Sequence, residues 1–308
     1  MNMKGIFWSG ALIIISLSAG GQTLPDSNRL TEIEWNSRPV AEGVVLKWVQ
    51  TRLFDSDQAV YVVETDTTAG RFEFGVAAGD KPVVTSAYAA GEGVLAAING
   101  TFFNMQQGYN VHFVRVNDSV VAYTDEKEYG IRATGVFTAT GEAVDISAWG
   151  PEKEDIGVVT AEDAIVSGPL LTDNGNDIVL DSINFNKNRH PRSLLGITAN
   201  GHVLFIAVDG RQPGYADGMS LFELRQLARS LGCTEILNLD GGGSTTLYVK
   251  GAMPITVSDS LNVKGENVSG VAEPATAGSG FAEGVVNRPS GKVERPVPSI
   301  VFVKVREN

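Results

Sequence analysis

One stretch, residues 202–240, limits what this 308-residue chain can fold into more than any other. His202 to Val208 is a nearly continuous apolar run, the pattern of a strand covered on both faces. Ser220 stands three residues before Glu223, which makes a capping box. Leu221, Leu224, Leu227, Ala228 and Leu231 then recur at helical spacing until Gly232 stops the helix. Glu235 to Leu239 reads as a second buried strand. A strand, helix, strand unit of this kind crosses over right-handed and predicts two parallel strands.

The remaining pattern is antiparallel. Asn117-Asp118 sits between Val111–Val116 and Ser119–Tyr123 as a two-residue hairpin turn. Thr140-Gly141 does the same between Gly135–Thr138 and Ala143–Ile146. Val45, Lys47 and Val49 alternate with Leu46 and Trp48, and Ala59 to Glu64 is a β-branched run. Lys81 to Ala90 reads as a short helix, and Val94 to Ile98 as a strand that runs into Asn99-Gly100. The expected class is α+β: a mixed, largely antiparallel sheet with an embedded right-handed strand-helix-strand unit. Residues 22–37 read as a loosely held polar lead-in.

Composition narrows the chemistry. Twenty-four Lys and Arg against 36 Asp and Glu give a formal charge of −12, which argues against a general grip on nucleic acid or on an anionic membrane surface. The hydrophobic fraction of 43% is that of a packed globule. A single cysteine, Cys233, cannot make an internal disulfide or a thiolate metal site, and three scattered histidines make no imidazole site. No cofactor is expected, and any metal would need oxygen ligands.

Residues 1–21 carry Lys4, an apolar run of about a dozen residues and then Ser18, Ala19, Gly20 and Gly21. That is the form of a signal peptide and falls short of the roughly 20 apolar residues of a membrane span. No cysteine follows the small residues, so the expectation is an exported protein without a lipoprotein anchor or membrane insertion, periplasmic or extracellular. The expected divisions are a signal peptide over 1–21, a strand-rich segment over 22–79 and one domain over 80–308.

Both predicted buried strands end on an acid followed by glycine: Asp209-Gly210-Arg211 and Asp240-Gly241-Gly242-Gly243-Ser244. Parallel strands would bring both carboxylates to one edge, where open α/β sheets bind ligands. Neighbouring strands lie roughly 4.8 Å apart, so the pair falls in or near the spacing of glycosidase acid and base pairs, about 5–9.5 Å, unless another strand intervenes. The three glycines can form a plain turn or an anion-binding nest of amides, with Ser244 adding a hydroxyl; their position directly after an acid favours the site. Arg189-His190-Pro191-Arg192-Ser193 is the densest basic cluster. Arg189 and His190 suit a solvated strand edge equally well, whereas Arg192, followed by Ser193 at a strand mouth, suits an anion. Asn99 offers an amide at another strand end.

In order along the chain, Asn99-Gly100-Thr101-Phe102-Phe103, Ser167-Gly168-Pro169-Leu170-Leu171, Pro191-Arg192-Ser193, Val208-Asp209-Gly210-Arg211, Gly218 to Leu224 and Asp240-Gly241-Gly242-Gly243-Ser244 resemble the phosphodiester glycosidase family. Asn287-Arg288-Pro289 and Glu294-Arg295-Pro296-Val297 look like its closing segment. The family includes many bacterial exopolysaccharide-related proteins. The resemblance runs from about residue 80 to the C-terminus; the stretch from Gly251 to Gly284 is longer than the family's usual link and is expected to form a flap over the site.

The resemblance implies hydrolysis of a sugar-1-phosphodiester at the anomeric carbon, with a sugar-phosphate or glycan as substrate. Arg192 and Arg211 are then assigned to the phosphate with the amides of Gly241 and Gly242. Asp240 is the nucleophile or base, and Asp209 its partner or a sugar ligand. Asn99, Asn238 and Ser244, beside Ser193, orient the sugar. Arg189, Arg192 and Arg211 would form a basic island in an acidic chain, favouring a monoanionic diester. Two other classes compete: a module that binds phosphorylated surface glycans without cutting them, and a calcium-dependent hydrolase using Asp209 and Asp240, for which two acids make a poor cage.

Overall fold

The computed structural model describes residues 26–69, 71–91, 93–155, 159–253, 255 and 282–306. The predicted signal peptide over 1–21 and most of the predicted 251–284 flap lie outside the described residues. In chain order the elements are α1 (Asp26–Thr31), β1 (Asn36–Ala41), β2 (Val44–Leu53), β3 (Ser56–Thr65), β4 (Phe72–Val83), α2 (Thr85–Tyr88), β5 (Val94–Asn99), β6 (Val114–Val116), β7 (Ser119–Ala122), β8 (Gly135–Thr140) and β9 (Ala143–Ala148). There follow α3 (Pro151–Asp155), β10 (Asp163–Ser167), β11 (Leu170–Asp173), β12 (Asn176–Asp177), α4 (Asn184–Lys187), β13 (Arg192–Thr198), β14 (Val203–Val208), α5 (Leu221–Ser230), β15 (Cys233–Asn238), β16 (Leu247–Val249) and β17 (Val297–Val305).

These strands make three sheets: β1-β2-β3-β14-β13-β15-β11-β12, β7-β6-β10-β8-β9 and β16-β5-β17-β4. The hydrophobic pattern explains the layering. Along β14, Val203, Phe205 and Ala207 enter one apolar core with Phe74, Ile98, Phe137, Ile165 and Val301 from the two smaller sheets. Leu204, Ile206 and Val208 enter a second core with Leu30, Leu221, Leu224 and Leu227 from α1 and α5. The eight-stranded sheet is thus the middle layer, which is why β14 reads as an uninterrupted apolar run.

The predicted parallel pair is corrected in one respect. β14 and β15 are not hydrogen-bonded neighbours, because β13 lies between them and pairs antiparallel with each, Arg192 opposite Val208 and Leu194 opposite Asn238. Strands β14 and β15 therefore do run in the same direction, but two strand spacings, about 10 Å, separate them. The sequence rule that adjacent elements pair failed because β13 hairpins directly onto β14 and occupies the slot the helix would have closed. Two smaller expectations also change. The described part of the predicted 22–37 lead-in, residues 26–37, is not loose, since Leu30 is buried against α5 and Asn36 and Ser37 pair with β2. The helix predicted over 81–90 is confined to Thr85–Tyr88, because Lys81 to Val83 finish β4.

Both predicted hairpins form, with Asn117 and Asp118 at φ 46° and 66° and Gly141 at 58°. Among the described residues no helix is long and apolar enough to cross a membrane. The capping box at the start of α5 also forms: Glu223 N–H donates to Ser220 Oγ at 3.2 Å, and Ser220 N–H donates to Glu223 Oε2 at 2.8 Å. Ser220→Ala is expected to cost about 1 kcal/mol, read as a lower urea midpoint with an unchanged slope; a midpoint equal to the wild type would show that α5 does not depend on this cap.

Candidate functional site around Asp240

All three sheets send a chain segment to the loop that follows β15. Its acid, Asp240, is held through its backbone: Asn99 Nδ2 donates to Asp240 O at 2.7 Å, and Asp240 N–H donates to Gly100 O at 3.2 Å. Asn99 Oδ1 in turn accepts from Ser193 Oγ at 2.6 Å and from Thr246 N–H at 3.1 Å. The end of β5, the start of β13 and the glycine loop are thereby tied by one fully buried amide. From the five-stranded sheet, Gly168 O after β10 accepts from Asn238 Nδ2 at 2.8 Å.

The glycines serve close approach. A Cβ on Gly241 would lie 2.6 Å from Pro191 O, and one on Gly210 would lie 2.8 Å from Pro191 N. Pro191 is therefore gripped between the two loops that follow β14 and β15, and no side chain fits at either contact. Gly242, at φ 62°, lies beneath Arg211, whose Nη1 would be 3.2 Å from an added Cβ, and a Cβ on Gly243 would collide with the Arg295 guanidinium. Two arginines thus cover the loop from different parts of the sequence.

The Asp240 carboxyl accepts from Gly241 N–H at 2.9 Å. Burial pushes it up to about 6, against the pull of Ser244, Arg295, the Gly241 amide and Arg132. The residue still keeps part of its surface open to solvent. Ser244 Oγ stands close enough to favour the ionised carboxylate but falls short of a formed hydrogen bond, and it shares that orphan state with Thr245 Oγ1, Thr246 Oγ1 and Asn238 Oδ1. Buried groups left unpaired cost roughly 1–3 kcal/mol each, and of these hydroxyls Ser244 is the one that acts on the Asp240 carboxyl.

Arg132 and Arg295 were not assigned roles from sequence. Arg132 is clamped by Glu128 through Nε to Oε2 at 2.8 Å and Nη2 to Oε1 at 2.7 Å, and its guanidinium lies 4.7 Å from the Phe102 ring centroid. Glu128 is drawn down to about 2 by the His112 ring and by Arg132, against the cost of burial. Burial lowers His112, so it is neutral at pH 7 and the bidentate arginine is the charged partner. Thr101 Oγ1 lies 2.8 Å from His112 Nδ1, which extends the chain of contacts back to β5. The spacing of Glu128 and Arg132, four residues apart, is the one sequence signal that would have joined them.

Several predicted site residues face elsewhere. Arg192 is 2% exposed and spends its guanidinium on backbone carbonyls: Nε on Met219 O at 2.9 Å, and Nη2 on Phe185 O at 2.7 Å and Asn188 O at 3.0 Å. Burial and the Arg211 charge lower it to about 9, so it stays charged as an internal strut instead of reaching a phosphate. Arg189 pairs with Glu223 at 3.0 Å. His190, lowered by burial and by Arg192 and Arg211, is neutral and lies 3.2 Å from Arg211 Nη2. The basic island thus reduces to Arg211. The amides of Gly241 and Gly242 are likewise occupied, the first by Asp240 and the second by Pro191 O at 2.9 Å. Asn99 and Ser193 use each other, which leaves Asn238 Oδ1 and Ser244 as the predicted polar groups without partners.

Asp209 is 1% exposed and does not open onto the loop. It accepts from Asn287 Nδ2 at 2.9 Å, Arg288 N–H at 2.8 Å and Tyr215 Oη–H at 3.3 Å, and so anchors the segment after residue 282. Burial pushes its carboxyl up to about 7 despite these donors. Among the described residues no group of three His, Cys, Asp or Glu side chains converges as a metal site.

Residues 92–304 match the phosphodiester glycosidase family model. Two solved structures share the fold. A hypothetical protein from Synechocystis superposes with a TM-score of 0.61 at 14% identity over 89% of this chain and 64% of that one. The zebrafish N-acetylglucosamine-1-phosphodiester alpha-N-acetylglucosaminidase catalytic domain, auto-inhibited by its pro-peptide, superposes with a TM-score of 0.61 at 14% identity over 89% of this chain and 88% of that one. The SPbeta prophage-derived uncharacterized protein YomE of Bacillus subtilis is 34% identical over 73 residues, which span 24% of this chain and 11% of that protein.

The raised Asp209 carboxyl makes a signed prediction about stability. An unfolded aspartate titrates near 3.9, so between about pH 4 and the native value of about 7 the folded state binds the extra proton. Stability from this group is full below pH 4 and falls as pH rises through 7, by on the order of 4 kcal/mol. Urea unfolding of wild type and Asp209→Asn at pH 5 and pH 8 should show the wild type losing stability relative to the variant at pH 8; parallel changes in both proteins would contradict it.

Proposed function

The chain belongs to the phosphodiester glycosidase family, and from that premise we propose that it hydrolyses a sugar-1-phosphodiester between the anomeric carbon and the phosphate oxygen. Water adds to the anomeric carbon and loses a proton, the carbon–oxygen bond breaks, and the electron pair leaves with the phosphate as a monoester. The observation that carries this reading is Asp240 on the glycine loop beneath Arg211 and Arg295. A phosphate is a good leaving group once its charge is neutralised, so the site needs cations at the phosphate more than a second acid. That requirement suits a site in which Asp209 is sealed away and one carboxylate remains approachable.

In this reading Asp240 supplies the carboxylate that acts at the anomeric carbon, and Arg211 and Arg295 take the phosphate oxygens. Arg132, oriented by Glu128, adds positive potential beside the acid. The buried Ser244 hydroxyl favours the ionised form of that carboxylate from within. The substrate is part of a glycan or glycoconjugate, and the leader-like pattern of residues 1–21 supports a reaction outside the cytoplasm.

Purified protein incubated with a UDP-sugar between pH 4 and pH 9 should release free sugar. The rate should rise from the acid side with a midpoint near 6 as Asp240 ionises. Asp240→Asn should lower turnover by about a thousandfold or more while unfolding in urea remains a single cooperative transition. Full activity in that variant would remove Asp240 from the reaction, and saturable binding without any product would favour a glycan-binding module instead.

A further inference from the structure

The cations near the site divide into two kinds. Arg132 and Arg189 are matched by Glu128 and Glu223, and Arg192 by carbonyls. Arg211, Arg288 and Lys292 have no carboxylate partner among the described residues, and all three are exposed. They line a single cavity of about 450 Å³ with Gln50, Tyr215 and Ser290. That size lies within the roughly 300–1,000 Å³ of small-molecule sites. In a chain of net charge −12, three unmatched cations around one hollow focus a positive potential onto it.

The wall is built. The Arg288 guanidinium lies 4.9 Å from the Tyr215 ring centroid, its carbonyl accepts from Gln212 Nε2 at 2.8 Å, and its amide is held by Asp209. Gln50 donates through Nε2 to Tyr215 O at 3.4 Å, and its Oε1 is buried with no partner among the described residues, an acceptor that suits a ligand hydroxyl. Lys292 sits at φ 62°, a conformation that glycine or asparagine adopts more readily. Gln50 comes from β2, outside the matched residues 92–304, so part of this wall lies beyond the family match. Arg211 belongs both to this cavity and to the cover over Gly242, which sets the cavity against the glycine loop.

We propose that the cavity is a second anion subsite, which holds an anionic sugar residue adjoining the sugar phosphate cleaved at Asp240, so that the natural substrate is a polyanionic glycan. The proposal rests on the glycosidase reading for the position of the cleaved bond, whereas the binding it asserts is measurable without turnover. It also reverses the preference for a monoanionic diester drawn from the expected island of Arg189, Arg192 and Arg211, because Arg288 and Lys292 join Arg211 around the cavity while Arg189 and Arg192 are engaged elsewhere. The anion is a phosphoryl or a carboxylate group on a sugar.

Isothermal titration of the full chain at low salt with orthophosphate, glucuronate and neutral glucose tests it, using wild type, Lys292→Asn and Lys292→Arg. At least one anion should bind saturably and glucose should not. Lys292→Asn should weaken that binding about tenfold, the equivalent of one charge-assisted contact, and Lys292→Arg should retain it. Orthophosphate alone binding would identify a phosphoryl group, and glucuronate alone a sugar acid. No anion binding to wild type, or binding that Lys292→Asn leaves within about threefold, would overturn the subsite. Lys292-dependent binding with no hydrolysis of any sugar-1-phosphodiester would sink the glycosidase reading and leave the subsite standing.

Discussion

The buried amide of Asn99 is the contact on which the site's geometry depends. It closes β5 onto the carbonyl of Asp240, the hydroxyl of Ser193 and the amide of Thr246 at once. A neutral side chain with both donor and acceptor ends is the one group that can satisfy partners of both kinds here without bringing a charge into the interior. With that tie in place, Pro191 is fixed between Gly210 and Gly241, and the loop carrying Asp240 cannot shift without breaking contacts in two sheets. Rigidity of this sort sets the direction of the Asp240 carboxylate before any ligand arrives, as the proposed reaction requires.

Electrostatics then separates structural charges from available ones. Arg192 and Asp209 are the most deeply buried of the ionisable groups singled out in the sequence, and both are satisfied from within, one by carbonyls and the other by an amide, a backbone N–H and a phenol. Each organises a loop: Arg192 holds the turn from Phe185 to Asn188, and Asp209 holds the segment of Asn287 and Arg288. The groups left over, Asp240, Arg211, Arg295, Arg288 and Lys292, lie on loops at strand ends, where side chains can reach a ligand while their backbones are pinned.

Much of the local structure could be read from residue patterns. The capping box of Ser220 and Glu223 and the turns at Asn117-Asp118 and Gly141 rest on interactions within a few residues of each other, and the two covered faces of β14 are recorded in its own apolar run. What could not be read depends on long-range pairing. Nothing in β13 announces that it will sit between β14 and β15, and that placement doubles the separation of the two strands whose ends carry the acids. Arg192 looked available because a strand mouth is usually exposed, but the Met219 and Phe185 carbonyls close over it. Arg132 and Arg295 lay in no recognised catalytic pattern, although Glu128 stood four residues from the first and the second lay within the closing segment. Proximity to Asp240 exists only once three sheet ends meet.

The proposed hydrolysis is defined by which bond breaks. The most direct measurement is hydrolysis of a sugar-1-phosphodiester in water enriched in oxygen-18, with mass analysis of the phosphomonoester product. Attack at the anomeric carbon, where Asp240 acts, places the heavy oxygen in the sugar and leaves the phosphate at natural abundance. Heavy oxygen in the phosphate would mean attack at phosphorus and would contradict the account.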